Sequence, residues 1–324
     1  MGGGQEEVTI KILLHTNSLN RRGTTVSTID YAKWLRQEFD YECIISYTDS
    51  DFKMEDVNTA PEVKREIEKK FELRPIRSIT DIETVTKDVD FAYFQRSGYK
   101  DFLPKNTRTG VHSVFAVDEP HGDVYAYISS WLSHYMSDFK TPYVPYIVDL
   151  PKATGNFRKH LGISDEQIVI GRYGGYTTFD LDFAKQAVRV ITDHRKDVVF
   201  LMLNTKPFIL HNNVIYLKPI YDLQKKSNFI NTCDGFLHAR IGGESFGLSI
   251  LEPLLFNKPV LSWYNGTDKN HLELFAGTGL LYDHRNLIRK LLNIRRFNGT
   301  YAAIVEQFNP YTVINKFKEV FLVN

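Results

Sequence analysis

Between Gly235 and Trp263 the chain orders apolar and turn-forming residues in a way that admits few folds. Gly235-Phe236-Leu237 reads as a buried strand, and His238 to Glu244 as a polar, glycine-bearing turn. A short helix follows the turn from Ser245 and runs on through Leu254-Leu255-Phe256, Asn257-Lys258-Pro259 stops it, and Val260-Leu261-Ser262-Trp263 is a second buried strand. Strand, helix and strand in so short a span is the connectivity of a parallel α/β layer. Ser245 is the expected N-cap, which turns the amides of Phe246, Gly247 and Leu248 outward at a positive helix end. Such an end suits an anion or a polar oxygen. Glu244 precedes the helix and Glu252 lies about two turns into it, so two acids can meet one ligand at different depths.

The same pattern runs through the chain. Val8–Leu14 is a first strand, and a polar loop with one glycine, Gly23, leads into a helix with Val26, Ile29, Ala32, Leu35 and Phe39 on one face. Strands follow at Glu42–Ser46, Asp90–Phe94, Thr109–Phe115, Val124–Ser129 and Tyr143–Val148, with a surface helix from Pro61. Pro142, Pro145, Pro151 and the polar run 152–159 mark a boundary. Beyond it come strands at Ile168–Arg172, Val198–Leu203 and Val214–Leu217, and a helix from Asp182. With 324 residues the chain has room for two domains. The expected division is 1–150, 151–308, and a last helix in 309–324 that returns to the first domain.

Net charge is +1, from 40 basic and 39 acidic residues, which disfavours a nucleic-acid groove. Cys43 and Cys233 read as buried thiols of a reducing compartment, and no spacing suits a metal. No secretory segment opens the chain and no apolar run reaches membrane-spanning length, so a cytoplasmic protein is expected. Residues 1–6 read as a tail. Asp49-Ser50-Asp51, Asp88-Val89-Asp90 and Asp180-Leu181-Asp182 each spell a short acidic motif used elsewhere to hold a divalent ion, and all three read here as solvated or capping acids. No dinucleotide or phosphate-loop motif occurs.

The run Glu244-Ser245-Phe246-Gly247-Leu248-Ser249-Ile250-Leu251-Glu252, with the Lys258-Pro259-Val260 strand after it, resembles the two-glutamate signature of family 4 retaining glycosyltransferases. Short virus-encoded members come nearest, since a run like Pro120-His121-Gly122-Asp123-Val124-Tyr125 recurs in them. The resemblance implies the GT-B architecture, α/β, with two Rossmann-like domains facing across a cleft: an acceptor-side domain first and a nucleotide-sugar-binding domain second. It implies retaining transfer of a hexose, with mannose from GDP-mannose the leading donor and UDP-glucose its competitor, to a glycan or other hydroxyl, without a metal or other cofactor. A sugar-nucleotide 2-epimerase and a non-catalytic nucleotide-sugar binder are the alternatives. Peripheral membrane contact and a homodimer are compatible with it.

Carried to this sequence, the resemblance puts Glu244, His112 and Arg172 in catalytic roles, with His121 the alternative to His112. Gly23 and Thr24 match the glycine loop beside the diphosphate, though this chain has Arg22-Gly23 where many members have paired glycines, and Arg21 and Arg22 are either contacts for an anionic acceptor or solvated charges. Gly174 and Gly175 form the loop after Arg172, Ile220 and Tyr221 lie against the base, and Ser245, Phe246, Gly247 and Leu248 surround the phosphates. Glu252 holds the ribose. One departure stands out: Thr177 and Thr178 occupy the place of a phosphate-binding lysine. Arg240 is the first candidate for the replacement cation, Lys206 the second, and Lys225 or Lys226 the third; Arg240 paired with an acid to hold the turn is the plain alternative.

Overall fold

The computed structural model describes residues 9–20, 22–49, 59–296 and 299–323. The expectations placed on residues 1–6, Val8, Arg21 and Ser50-Asp51 lie outside them. The described residues up to Ile147, together with those from Pro310, form one unit, and Val148–Asn309 form the other.

In the first unit the elements run β1 (Lys11–Thr16), α1 (Gly23–Phe39), β2 (Glu42–Thr48), α2 (Pro61–Glu68), β3 (Glu72–Ile76), α3 (Asp81–Val85), β4 (Phe91–Arg96), β5 (Arg108–Ser113), β6 (Val124–Tyr127) and α4 (Ser130–Ser137). Six parallel strands lie in the order β3-β2-β1-β4-β5-β6. The central strands are apolar on both faces (Ile12-Leu13-Leu14, Phe91-Ala92-Tyr93-Phe94), as a sheet covered by helices on both sides requires. Strand β3 carries two charges and Pro75 and lies at the sheet edge, where a missing backbone donor is tolerated. Those residues hid it from sequence reading.

Helix α1 is where expected, but its buried face is Thr25, Ser27, Thr28, Tyr31, Ala32 and Leu35. Polar contacts turn it. The Ser27 and Thr28 hydroxyls donate to Gln95 Oε1 at 3.0 and 3.1 Å, and Tyr31 donates to the Pro145 carbonyl at 2.8 Å. The Tyr143–Val148 strand does not form. One bridge joins Tyr143 to Tyr127, and Pro145, which has no N–H, ends the pairing.

The second unit runs β7 (Ile168–Arg172), α5 (Asp182–His194), β8 (Val198–Leu203), β9 (Val214–Leu217), α6 (Leu223–Thr232), β10 (Gly235–His238), β11 (Gly243–Glu244), α7 (Leu248–Leu255), β12 (Val260–Trp263), β13 (Asp268–Lys269), α8 (Asn270–Leu274), β14 (Leu281–Tyr282), α9 (Leu287–Leu292) and α10 (Ala302–Val305). Its main sheet is again parallel, in the order β14-β12-β10-β7-β8-β9. Counted from its own first strand, each unit has the order 3-2-1-4-5-6, the doubly wound arrangement of dinucleotide-binding domains. The chain then re-enters the first unit as α11 (Pro310–Phe317) and a π-type turn over Lys318–Leu322. Phe317 and Phe321 pack against Tyr31 and Tyr93 there. Both cysteines are buried free thiols, and burial raises the Cys43 thiol to about 12.

Candidate functional site

In a doubly wound sheet ligands bind outside the carboxyl ends of the strands, where the strand order reverses. In the second unit that point lies between β7 and β10. Three pieces of chain leave it: the loop 173–181 after β7, the turn 239–247 after β10, and α7 behind that turn.

The turn after β10 is shaped by glycine. Gly243 has φ +68°, and a Cβ there would collide with the Asp268 carbonyl oxygen. Only with that clearance does Gly243-Glu244 pair with Asp268-Lys269 as a two-stranded ribbon. The ribbon turns the Glu244 carboxylate back towards β10, where His238 Nε2 meets Oε1 at 2.9 Å and Arg240 Nη1 donates to Oε2 at 3.1 Å. A carboxylate only accepts, so Nε2 carries the proton. Ser262 Oγ is 2.9 Å from His238 Nδ1, fixing the ring from its other side. Behind it, His271 Nε2 donates to the Trp263 carbonyl at 2.8 Å and Nδ1 accepts from the Glu244 amide at 3.4 Å. Burial, then His238, push the His271 imidazole down to about 4, in keeping with that neutral tautomer. Burial alone would raise Glu244; His238, Arg240 and His271 outweigh it and hold the carboxyl below its ordinary value. Glu244 is an ionised acid in a fixed position.

The second acid sits deeper. Glu252 is 3% exposed. Tyr173 donates to its Oε2 at 2.6 Å and Lys226 to its Oε1 at 2.5 Å. Three elements therefore converge on one carboxylate: α7, α6 and the loop after β7. Burial, then Glu252, raise the Tyr173 phenol well above its ordinary value, so it stays a donor.

Several assignments change. Helix α7 begins at Leu248, and its N-cap is Gly247 at φ +101°, not Ser245. The tight αL bend left by Gly247 moves the start forward. Glu252 is thus the helix's fifth residue, one turn in rather than two. Ile250 and Leu251 donate to the Gly247 carbonyl, so Leu248 and Ser249 carry the first amides of the helix end. Phe246 is buried and packs edge-on against Phe308 at 5.3 Å, so it supports the turn from behind. Ser245 stays part-exposed beside it.

Arg172 is 4% exposed and its guanidinium is spent on protein. Nη1 donates to the Asn204 carbonyl and Thr205 Oγ1, and Nη2 to the Gly175 carbonyl and Thr178 Oγ1, all within 3.0 Å. Burial pushes it down to about 10. Arg172 ties down the loop holding Gly174 and Gly175; the expected direct contact with a leaving group is replaced by that structural role. Lys206 is exposed at the end of β8, and Ile220 and Tyr221 lie in the partly exposed turn before α6. Lys225 is exposed on α6.

In the first unit Gly23 opens α1, and the Thr24 carbonyl accepts from Ser27 and Thr28. His112 corrects the sequence reading. It is 0% exposed, its Nδ1 lies 2.6 Å from the Tyr93 hydroxyl and its Nε2 3.1 Å from the Tyr127 carbonyl. Aromatic rings of Tyr31, Tyr146 and Phe321 close around it, and burial pushes it down to about 4. Both nitrogens are occupied inside the core, so no nitrogen faces a ligand. His121 differs: its Nδ1 is 2.7 Å from the Glu119 carbonyl, and its Nε2 is buried with no hydrogen-bond partner.

Sequence reading missed His238, His271 and Tyr173, and ranked Lys226 last among the cations. A signal existed for His238, which stands six residues before Glu244 at a strand end. Among the described residues no cluster of three His, Cys, Asp or Glu side chains suits a metal, and no helix is long and apolar enough to cross a membrane.

By sequence the chain matches no family model and no curated protein. Its similarity to solved structures is extensive. HepE of Anabaena, solved with UDP and glucose, superposes with a TM-score of 0.73 at 15% identity, over 97% of this chain and all of that one. A TarM variant of S. aureus, solved with fondaparinux, alpha-GlcNAc-glycerol and UDP, gives 0.70 at 10% identity over 97% of this chain and 100% of its own. A candidate UDP-N-acetylglucosamine 2-epimerase of Listeria monocytogenes gives 0.59 at 14% identity over 97% of both. With two parallel six-stranded sheets of identical strand order and near-complete overlap with these structures, the chain has the GT-B fold.

Proposed function

We propose that this protein is a retaining glycosyltransferase that moves a hexosyl group from a nucleoside-diphosphate sugar to the hydroxyl of a glycan or similar acceptor. The observation that carries the reading is Glu244, held ionised by His238 and Arg240 at the switch point, with buried Glu252 one turn into the following helix. Glu252 accepts from the ribose. The first α7 amides and Arg240 face the diphosphate, where charge grows as the sugar leaves. Glu244 lies beside the sugar ring and stabilises the positive character that develops there. The leaving charge rests on these groups, and the reaction is proposed to run without a metal.

The UDP in the HepE and TarM structures favours a uridine donor over the GDP-mannose expected from sequence. Glucose and alpha-GlcNAc-glycerol in those structures support a sugar or polyol acceptor. The Listeria protein keeps one second reading open, epimerisation of the bound sugar nucleotide. A calorimetric screen of UDP- and GDP-sugars, followed by product analysis with and without EDTA, separates them. Free hexose plus nucleoside diphosphate, undiminished by EDTA, is expected. A new sugar nucleotide without hexose means the epimerase. Binding without turnover, or no binding, overturns the proposal, and activity restored by manganese after EDTA overturns its metal-free form.

A further inference from the structure

We propose that Lys226 and Glu252 work as one unit that reads the ribose of the bound nucleotide, so that the site takes ribonucleoside diphosphates and rejects their deoxy forms. The inference rests on the nucleotide-sugar reading above and adds a residue and a selectivity to it.

The argument begins with hydrogen-bonding capacity. An ionised carboxylate offers about four acceptor positions and an ammonium three donors. Tyr173 takes one position on Glu252 Oε2 and Lys226 one on Oε1. About two acceptor positions on Glu252 and two donors on Lys226 stay available, side by side. The Glu252 side chain is 4% exposed and that of Lys226 18%, so what access the pair has to solvent lies on the lysine side.

Charge then selects the ligand. The pair is electrically neutral as a unit, and a phosphate drawn to Lys226 would be repelled by Glu252 at contact distance. A vicinal diol has no such conflict: each hydroxyl donates to the carboxylate and accepts from the ammonium. Three separate elements fix the arrangement. Asp222 caps α6 through the Lys225 amide at 2.7 Å, which sets Lys226 on the helix's first turn. Tyr173 lies edge-on to Phe229 and Phe236, and the Lys226 ammonium lies 5.3 Å from the Tyr173 ring centre. The lysine is thus held against both the acid and its phenol partner.

The test is calorimetric titration of the full chain with UDP and GDP and with their 2′-deoxy and 3′-deoxy forms, for the wild type, Lys226→Met and Lys226→Gln. Wild type should prefer the ribonucleotide by about 10- to 100-fold, the span of one charge-assisted hydrogen bond. In Lys226→Met that preference should shrink to a few-fold, with most of the loss falling on the ribonucleotide. Should the methionine variant not fold, Lys226→Gln carries the test: it keeps length and one donor, and should show an intermediate preference. A wild-type preference that either folded variant leaves unchanged overturns the inference. So does equal weakening of ribo and deoxy forms, which makes Lys226 a phosphate or scaffold residue. A wild type that binds UDP or GDP without discriminating against deoxy forms overturns it while sparing the nucleotide reading; a wild type that binds neither overturns both.

Discussion

His112 and His238 both follow apolar residues near the end of a parallel strand, and their fates differ. The imidazole of His112 is enclosed by Tyr93, the Tyr127 carbonyl and rings from α1 and the C-terminal segment. His238 meets a carboxylate six residues further along the chain. What separates them is the next stretch of backbone. After β10 the glycines at 242 and 243 fold the chain back so that Glu244 returns to the strand that launched it. After β5 the acid that returns, Asp123, accepts from the Thr109 amide and hydroxyl at the start of the strand and not from His112, and aromatic side chains from remote segments enclose the imidazole. A histidine's role is set by what the following turn delivers, not by its place on the strand.

Acid should expose the difference most strongly. The first unit holds two buried imidazoles, His15 pushed down to about 3 and His112 to about 4, while the second has His271 at about 4. Burial is the leading cause each time. A folded-state value below the unfolded 6.5 means that the unfolded chain binds more protons in acid, so the stabilisation is present above about pH 6.5 and drains as pH falls. By about pH 5 each such histidine costs roughly 2 kcal/mol. Glu244, held low, adds its loss to the second unit only below its ordinary value of 4.5. Native-state hydrogen exchange between about pH 7 and pH 5 should therefore show the first unit losing protection first. Earlier loss from the second unit would contradict the burial argument.

Substitution at the two corners should separate chemistry from scaffold. Glu244→Gln keeps the shape but removes the charge and one of the two acceptors that His238 and Arg240 use; hydrolysis or transfer of the sugar should slow by about 10²–10³-fold, with nucleotide affinity nearly unchanged. A rate within a few-fold of wild type would remove Glu244 from the reaction. His112→Ala leaves a cavity and an unpartnered Tyr93 hydroxyl, and should cost about 2–4 kcal/mol in denaturant unfolding. The rate per folded molecule should hold. A folded His112→Ala protein that binds donor but does not turn it over would restore the catalytic role.

The parts of the molecule visible in sequence are those set by local pattern. The apolar strands other than Tyr143–Val148, and the helices starting at Pro61 and Asp182, sit where periodicity puts them. What stayed hidden depends on contacts across the sheet. Strand β3 looked too charged and too proline-bearing, because its edge position was invisible. The buried face of α1 turned on Gln95, which lies far away in the chain. Arg172 matches the resembling family's phosphate-side arginine by its place in the sequence; Asn204 and Thr205, which claim its donors, lie just beyond β8. Tyr173 and Lys226 meet Glu252 across gaps of 79 and 26 residues that no local pattern reports.

The smallest expected effect concerns the missing phosphate cation. Arg172 ends β7 and Arg240 stands two residues beyond β10 at the switch point, yet Arg172 is buried with its guanidinium bonded to four protein groups, and the Arg240 side chain is 37% exposed with one contact to Glu244. Arg172→Ala should therefore cost about 2–4 kcal/mol of stability, because it strips the loop of its anchor. Arg240→Ala breaks a half-exposed pair and should cost no more than about 1 kcal/mol. Its binding effect is also modest, about fivefold off the preference for nucleoside diphosphate over nucleoside, and it should fade at high salt as a screened charge does. Calorimetry of both ligands at two salt concentrations reads it directly. If Arg240→Ala melts slightly earlier but keeps the full diphosphate preference, its only duty is to hold Glu244. The exposed Lys206 at the end of β8 is then the next cation to remove.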